Sequence, residues 1–177
     1  MPPKSVLVAL ALNIPPIAVS AAEKPVPAGL VCPAEVAGAE LISTALASPE
    51  PGVSGLCIYD LFDEENPDRS VTVTLRVGTS DYDPDQTFKA PKMDRGGMTL
   101  VEEATRPIAF AGRMAPATTI VLAGKEEDLG DITDVFDSLT VLRLEGGRVI
   151  SLEEEYTNLS EDMREPVRQA LLAAQSG

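Results

Sequence analysis

Residues 55–62 read GLCIYDLF and residues 70–77 read SVTVTLRV, and these two runs decide the fold class. In the second run every other residue is apolar, and these residues are Val71, Val73, Leu75 and Val77. Strict alternation is typical of a strand in an antiparallel sheet that has one buried and one solvated face. The first run is apolar on both faces, which predicts a strand inside the sheet. The polar residues 63–68 between them predict a hairpin loop.

Further along the chain, two more pairs of strands are predicted. Residues 107–112 and 118–123 are apolar runs, and the turn between them is predicted at Met114-Ala115-Pro116. Residues 139–144 and 149–152 flank a pair of glycines, Gly146 and Gly147. Two glycines between β-rich runs indicate a two-residue hairpin turn, because such turns require positive φ.

The two-residue turn fixes a predicted register for its hairpin. Leu144 is expected opposite Val149, and Leu142 opposite Ser151. Both faces of this hairpin carry apolar residues, so we expect both faces of the sheet to be covered there.

The tail predicts a helix that begins after Ser160, which is a suitable N-cap with Glu161 and Asp162 in the first turn. Pro166 fits poorly inside a helix, so a start near Pro166 is the alternative. Residues 79–97 predict mostly loop with a short helical piece, and residues 34–47 fit either a pair of strands or one helical face. The predicted fold is α+β: an antiparallel sheet of six to eight short strands with a C-terminal helix packed on it.

The N-terminus has the order of a secretory signal peptide. Lys4 is followed by the mostly apolar residues 6–19 and then by the small residues Ser20-Ala21-Ala22. We therefore expect residues 1–22 to be cleaved. The apolar run is too short and too interrupted by proline for a membrane helix, which needs about 20 residues.

The rest of the chain is expected to form one exported domain. Residues 23–31 are rich in proline and predict an extended leader, and residues 32–177 are predicted to form a single α+β domain. No membrane span is expected in the mature chain. The expected location is the periplasm or the extracellular space.

Export changes the interpretation of the two cysteines, Cys32 and Cys57. An oxidising compartment allows a disulfide, and two cysteines allow one intramolecular pairing. Closing a loop of this size contributes about 3 kcal/mol in the chain-entropy treatment. A structural bridge is the prediction. Free buried thiols and a redox pair are the alternatives, although redox pairs normally have the close C-x-x-C spacing.

Composition excludes several classes of function. The chain has no histidine, so it lacks Ser-His-Asp and Cys-His catalysis and histidine-ligated zinc. Its net charge of −14 over 177 residues repels phosphate backbones, which argues against nucleic-acid binding. No cofactor is predicted. The acidity favours a partner with a basic surface, through an association that weakens as salt rises.

Acidic clusters are the densest polar features and the candidate sites. Asp81, Asp83 and Asp85 have the D-x-D-x-D spacing that opens a calcium loop, but Gln86 stands at the glycine position and Lys92 at the position of the bidentate acid. They are weak candidate ligands for a divalent cation. The other interpretation is a solvated turn.

Two further acidic runs allow the same two interpretations. The run over residues 126–137 fits a hydrated surface or a cation site. Glu153-Glu154-Glu155 ends a predicted strand, where alternation splits the acids between the two faces. A carboxylate pair could in principle do glycosidase-type chemistry, although the shortage of aromatic residues argues against a sugar cleft. No catalytic residue is assigned.

Several short motifs resemble the Mog1/PsbP-like superfamily. They are Pro33-x-x-x-Ala37-Gly38, Pro51-Gly52-x-x-Gly55 leading into Ile58-Tyr59, the strand Val71 to Leu75, the Gly-Gly hairpin and the terminal helix. The resemblance implies a central antiparallel sheet flanked by helices. It also implies a small secreted or envelope protein, since many bacterial members are of that kind and have no assigned function. It carries over no functional residue.

Two functional hypotheses follow from the sequence. The first is a non-catalytic exported domain that binds a protein or small-molecule partner. The second is a carboxylate-based hydrolase, with or without a bound divalent cation. An apolar cleft in the folded chain would indicate a lipophilic ligand, and a flat surface would indicate protein contacts.

Overall fold

The computed structural model describes residues 29–46, 50–66, 69–94, 97–128 and 131–175. The predicted signal peptide and residues 23–28 of the predicted leader therefore lie outside the described residues. The eight strands are β1 (Glu35–Val36), β2 (Ala39–Ala45), β3 (Val53–Phe62), β4 (Ser70–Gly78), β5 (Thr99–Phe110), β6 (Arg113–Asp128), β7 (Asp131–Arg143) and β8 (Val149–Thr157). The α-helices are α1 (Pro84–Asp94) and α2 (Glu161–Ala174).

All eight strands form one antiparallel sheet in the order β1-β2-β3-β4-β8-β7-β6-β5. The chain makes two meanders, β1 to β4 and β5 to β8, and the last strand of each meander pairs with the last strand of the other. Helix α1 connects the middle of the sheet to its far edge, and α2 follows β8. The predicted α+β class, with an antiparallel sheet and a C-terminal helix, is confirmed.

Each face of the sheet has its own apolar core. On the face covered by α2, alternate residues of β4 are buried as predicted, and they belong to one cluster with Val167 and Leu171 of the helix. On the face covered by α1, Tyr82 and Phe88 join a smaller cluster that includes Ile120 and Leu139. Cover on both faces explains why six of the nine residues of β8 are buried.

An N-terminal segment, residues 29–33, is fastened beside the end of α2. The Gln175 side chain donates from Nε2 to the Val31 carbonyl at 2.8 Å and accepts the Val31 N–H at 3.1 Å. Leu30 is buried, and the Tyr59 hydroxyl donates to the Pro33 carbonyl at 3.1 Å. The Cys32–Cys57 disulfide then ties this segment to β3, so the predicted bridge is confirmed.

Two predicted turns were wrong. The turn between β5 and β6 is Ala111-Gly112, with φ of 47° and 74°, and the residues Met114 to Pro116 lie inside β6. Gly146 and Gly147 belong to a three-residue 3₁₀ turn, closed by the Leu144 N–H bonding the Arg148 carbonyl at 2.8 Å. The longer loop shifts the register by one residue, because three-residue hairpin loops pair the flanking strands differently from two-residue loops.

In that shifted register Arg143, not Leu144, lies opposite Val149, and Val141, not Leu142, lies opposite Ser151. A slip of one residue gives every side chain of the two strands a different cross-strand partner. The observed register places Ser138 opposite Glu154.

Two helical predictions also need correction. The segment predicted as mostly loop contains α1, an eleven-residue helix. Its helix propensity is low because Pro91 lies within it, and the burial of Phe88 against the sheet supplies the stabilisation that local propensity does not. Helix α2 does begin after Ser160, but the Ser160 hydroxyl donates to the Ser70 carbonyl at 2.8 Å and does not cap the helix. The ambiguous residues 34–47 contain the strand pair β1–β2.

Candidate functional site

The three aspartates predicted as weak cation ligands lie around the start of α1. Carboxylate oxygens of Asp83 and Asp85 lie 3.6 and 3.3 Å from Arg143 Nη2. Asp81 precedes the helix and is exposed. Among the described residues, no group of three or more aspartate, glutamate or cysteine side chains is placed to hold a metal ion. The cation site stays a prediction, and the contacts observed here are with an arginine.

The acids of β7 and β8 instead surround a lysine on the face covered by α1. Lys92 Nζ lies 2.5 Å from Asp137, 3.0 Å from Glu153 and 3.2 Å from Glu155. Arg76 lies 2.8 Å from Glu153 and 3.3 Å from Glu50. This network fastens α1 to the sheet.

The ionisation of these groups follows from burial and from the neighbouring charges. Burial is the largest influence on Glu153 and disfavours its charge, but Arg76 and Lys92 together hold its pKa below the ordinary value. Burial raises the pKa of Asp137 despite its contact with Lys92. Burial also opposes the charge of Lys92, yet Asp137 and Glu153 raise its pKa. The acids are therefore used in ion pairs, which is a structural role.

The other face of the sheet carries a groove that the sequence analysis did not predict. It lies between α2 and the outer strands β5 and β6, and has a volume of about 620 Å³. Its apolar lining includes Pro107, Ile108, Met114, Val121, Leu172 and Ala173. This volume falls within the range of small-molecule sites, which are mostly apolar with a few placed polar groups.

Three of the nine arginines of this acidic protein line the groove. Arg106 pairs with Glu102 at 2.8 Å, and Arg168 pairs with Glu165. Arg164 lies deeper, with its guanidinium carbon 4.3 Å from the centroid of the Tyr156 ring. Cations stack on aromatic faces in this way, so the ring holds the arginine in place.

A buried carboxylate lies beneath these arginines. Glu154 is fully buried on the α2 side of β8, and its Oε2 accepts a hydrogen bond from the Ser138 hydroxyl at 2.7 Å. Arg164 and Arg168 approach it to 3.9 and 3.8 Å, which is too far for a hydrogen bond. Burial is the dominant influence and raises the pKa of Glu154, although both arginines act against the rise.

Because the pKa of Glu154 is raised in the folded chain, this residue makes the stability of the protein depend on pH. Between the ordinary glutamate value of 4.5 and the higher folded value, the folded chain retains a proton that the unfolded chain releases. Stability therefore falls as pH rises through that window. Relative to Glu154→Gln, the wild type should lose unfolding free energy as the pH rises from about 4.5.

Urea unfolding at a series of pH values measures this difference. Glu127→Gln, which changes an exposed acid on β6, is the matched control and should follow the wild type at each pH. A constant difference between wild type and Glu154→Gln across the series would show that the pKa of Glu154 is the same in the folded and the unfolded chain.

The sequence did contain one signal for the groove. Arg164, Arg168 and Leu172 are spaced four residues apart, and that spacing places them on one stripe of a helix. The opposing residues of the groove come from three different strands, and no local pattern links them to that stripe. The acidic clusters of the sequence lie outside the groove, and several of their members form ion pairs with Lys92 or Arg143.

Neither helix in the described parts of the chain combines the length and apolar character that a membrane crossing requires.

No family model matches the sequence, and no curated protein matches it. The chain is similar to the solved structure of LpqN, involved in cell envelope biogenesis of Mycobacterium tuberculosis. The two share 16% identity over 86% of this chain and 80% of that chain, with a TM-score of 0.35. The resemblance to the Mog1/PsbP-like superfamily stays a prediction.

Proposed function

We propose that this protein is an exported, non-catalytic binding domain that holds a small amphipathic molecule in the groove between α2 and strands β5 and β6. The observation that carries the proposal is the groove itself, which combines an apolar wall with a few polar groups at its base. Binding sites for small molecules have this composition, because apolar contact supplies affinity and placed polar groups supply orientation.

Export is supported by the signal-like N-terminus and by the Cys32–Cys57 disulfide. Disulfides persist in oxidising compartments and are rare in the cytosol. A periplasmic or extracellular location is therefore part of the proposal.

The hydrolase hypothesis has less support from the geometry. A carboxylate pair acting on a substrate needs access to a cleft and freedom from strong counter-ions. The partly buried acids Asp137 and Glu153 each contact Lys92, and Glu153 also contacts Arg76. Glu154 is fully enclosed. We therefore propose binding as the function.

The absence of tryptophan from the chain allows a specific test of the groove. Met114 lines the groove and is 64% exposed, and Ile132 is 64% exposed but is not part of the groove lining. Single tryptophans introduced as Met114→Trp and Ile132→Trp would be the only indole fluorophores in each variant. Decanoate is a suitable probe below its micellar concentration, because it has an aliphatic chain and a polar head.

Titration with decanoate should shift the emission of Met114→Trp to shorter wavelength in a saturable way and leave that of Ile132→Trp unchanged. The physical reason is that a chain in the groove replaces water beside the indole. Equal responses at the two positions, or no response at either, would contradict the proposed groove site.

A further inference from the structure

The deep end of the groove contains polar atoms with unused hydrogen-bonding capacity. Thr140 lines the groove, is 1% exposed, and its Oγ1 has no hydrogen-bond partner among the described residues. Arg164 Nε, also in the groove lining, and Glu154 Oε1, which is buried beside it, likewise have no hydrogen-bond partner among the described residues. Buried polar atoms are nearly always satisfied, and each one that is not costs about 1–3 kcal/mol.

These atoms are neighbours in the sheet and on the helix that covers it. Thr140 follows Ser138 on the same face of β7, and Ser138 lies opposite Glu154 on β8. Arg164 projects from α2 toward this point, with its Nη1 3.4 Å from the Ser138 hydroxyl. A guanidinium has five donors in a fixed plane, and the contacts of Arg164 leave donors available.

The charges around this point favour an anion over a cation. At the rim, Arg106 and Arg168 are neutralised by Glu102 and Glu165, whereas Arg164 has Glu154 as its counter-ion without a hydrogen bond between them. The raised pKa of Glu154 favours its neutral form, which leaves the charge of Arg164 less compensated. The overall acidity of the chain predicts basic partners, but this site has the opposite preference.

We propose that the groove is specific for an aliphatic molecule with a single anionic head group, whose oxygen atoms accept hydrogen bonds from Arg164 and Thr140 while its chain lies against Ile108, Val121 and Leu172. This inference rests on the proposed function and adds the chemical class of the ligand. Carboxylate and phosphate heads share this chemistry, since both present acceptor oxygens to a guanidinium.

Isothermal titration calorimetry on the full chain tests the preference with decanoate, decyl phosphate and decyltrimethylammonium, each below its micellar concentration. The three probes share one aliphatic chain and differ in the head group. Wild type should bind both anions at least about tenfold more tightly than the cation. The relative affinity of the two anions distinguishes a carboxylate from a phosphate ligand.

Two variants locate the head group. Arg164→Gln should weaken binding of the anions by about tenfold or more and leave the affinity for the cation unchanged. Thr140→Val should weaken anion binding by about fivefold. Because Thr140 Oγ1 has no partner among the described residues, this variant should remain fully folded even if Arg164→Gln does not. Arg143→Gln removes an exposed arginine outside the groove and should bind as wild type does.

The outcomes separate this inference from the proposed function. If Met114→Trp responds to all three probes and neither Arg164→Gln nor Thr140→Val changes anion affinity, the groove binds ligands but the anionic preference is overturned. If no probe binds the wild type by calorimetry and Met114→Trp shows no response, both proposals are overturned. An anion preference that is lost in both groove variants supports the inference.

Discussion

Replacing Gly52 by alanine is expected to lower the free energy of unfolding by about 2–5 kcal/mol, because two penalties combine at this residue. Gly52 has a φ of +79°, a left-handed conformation that costs a residue with a Cβ about 1–2 kcal/mol. A Cβ there would also lie 2.5 Å from the backbone nitrogen of Tyr82 and 2.8 Å from the carbonyl carbon of Asp81. Backbone atoms have little freedom to move away, so overpacking adds about 1–3 kcal/mol.

Gly112 provides a matched control. It has a similar φ of +74°, but an added Cβ would meet no atom within 4 Å. Gly112→Ala should therefore show the conformational penalty alone, about 1–2 kcal/mol. Urea unfolding followed by circular dichroism measures both variants. Equal losses in the two would show that the chain around Tyr82 yields to the extra carbon.

Breaking the Cys32–Cys57 bridge is expected to have the second-largest effect, a loss of about 3 kcal/mol. The bond closes a loop with a sequence separation of 25 and connects the N-terminal segment to a fully buried position in β3. Reduction frees the loop in the unfolded chain, which gains conformational entropy.

The test compares oxidised wild type, wild type in a reducing agent and the double variant Cys32→Ala/Cys57→Ala. Reduced wild type keeps every side-chain atom, so it isolates the bond from the cavity that alanine leaves at position 57. Reduced wild type and the double variant should both have a larger m-value than oxidised wild type, because the unfolded chain without the bridge exposes more surface. The urea midpoint should be lowest for the double variant. A urea midpoint that is unchanged by reduction would show that the bridge does not contribute to the stability of the fold.

The bridge is not the only attachment of the N-terminal segment. Gln175 holds both backbone polar groups of Val31, so the Val31 amide should stay protected from hydrogen exchange after reduction. This observation separates a loss of loop closure from a local unfolding of the segment.

The sequence was sufficient wherever a feature depends on neighbours along the chain. Alternation over residues 70–77 identified β4 and its buried face, because successive side chains of a strand point to opposite sides. Two cysteines in a chain with a signal-like N-terminus allowed a single bridge, and the bridge is there. The absence of histidine excluded whole classes of catalysis before any fold was known.

Local sequence patterns could not predict the features that join distant parts of the chain. Helix α1 depends on burial of Phe88 against strands that follow it, and its own sequence has a weak helical signal. The register of β7 on β8 depends on a three-residue turn where glycines allowed two turn types, and one residue of slip changed the partner of Ser138. The pairing of β4 with β8 joins residues about 80 positions apart.

The groove illustrates the same division. The sequence by itself determined the strand alternation, the disulfide partners and the arginine stripe on α2, because each is a matter of residue type at short spacing. Only the tertiary structure decided that this stripe faces Thr140, Val121 and Ile108, which come from three strands and have no common local signal. Side chains that are far apart in sequence become neighbours through burial of the whole sheet, and that is a property of the folded chain and not of any segment of it.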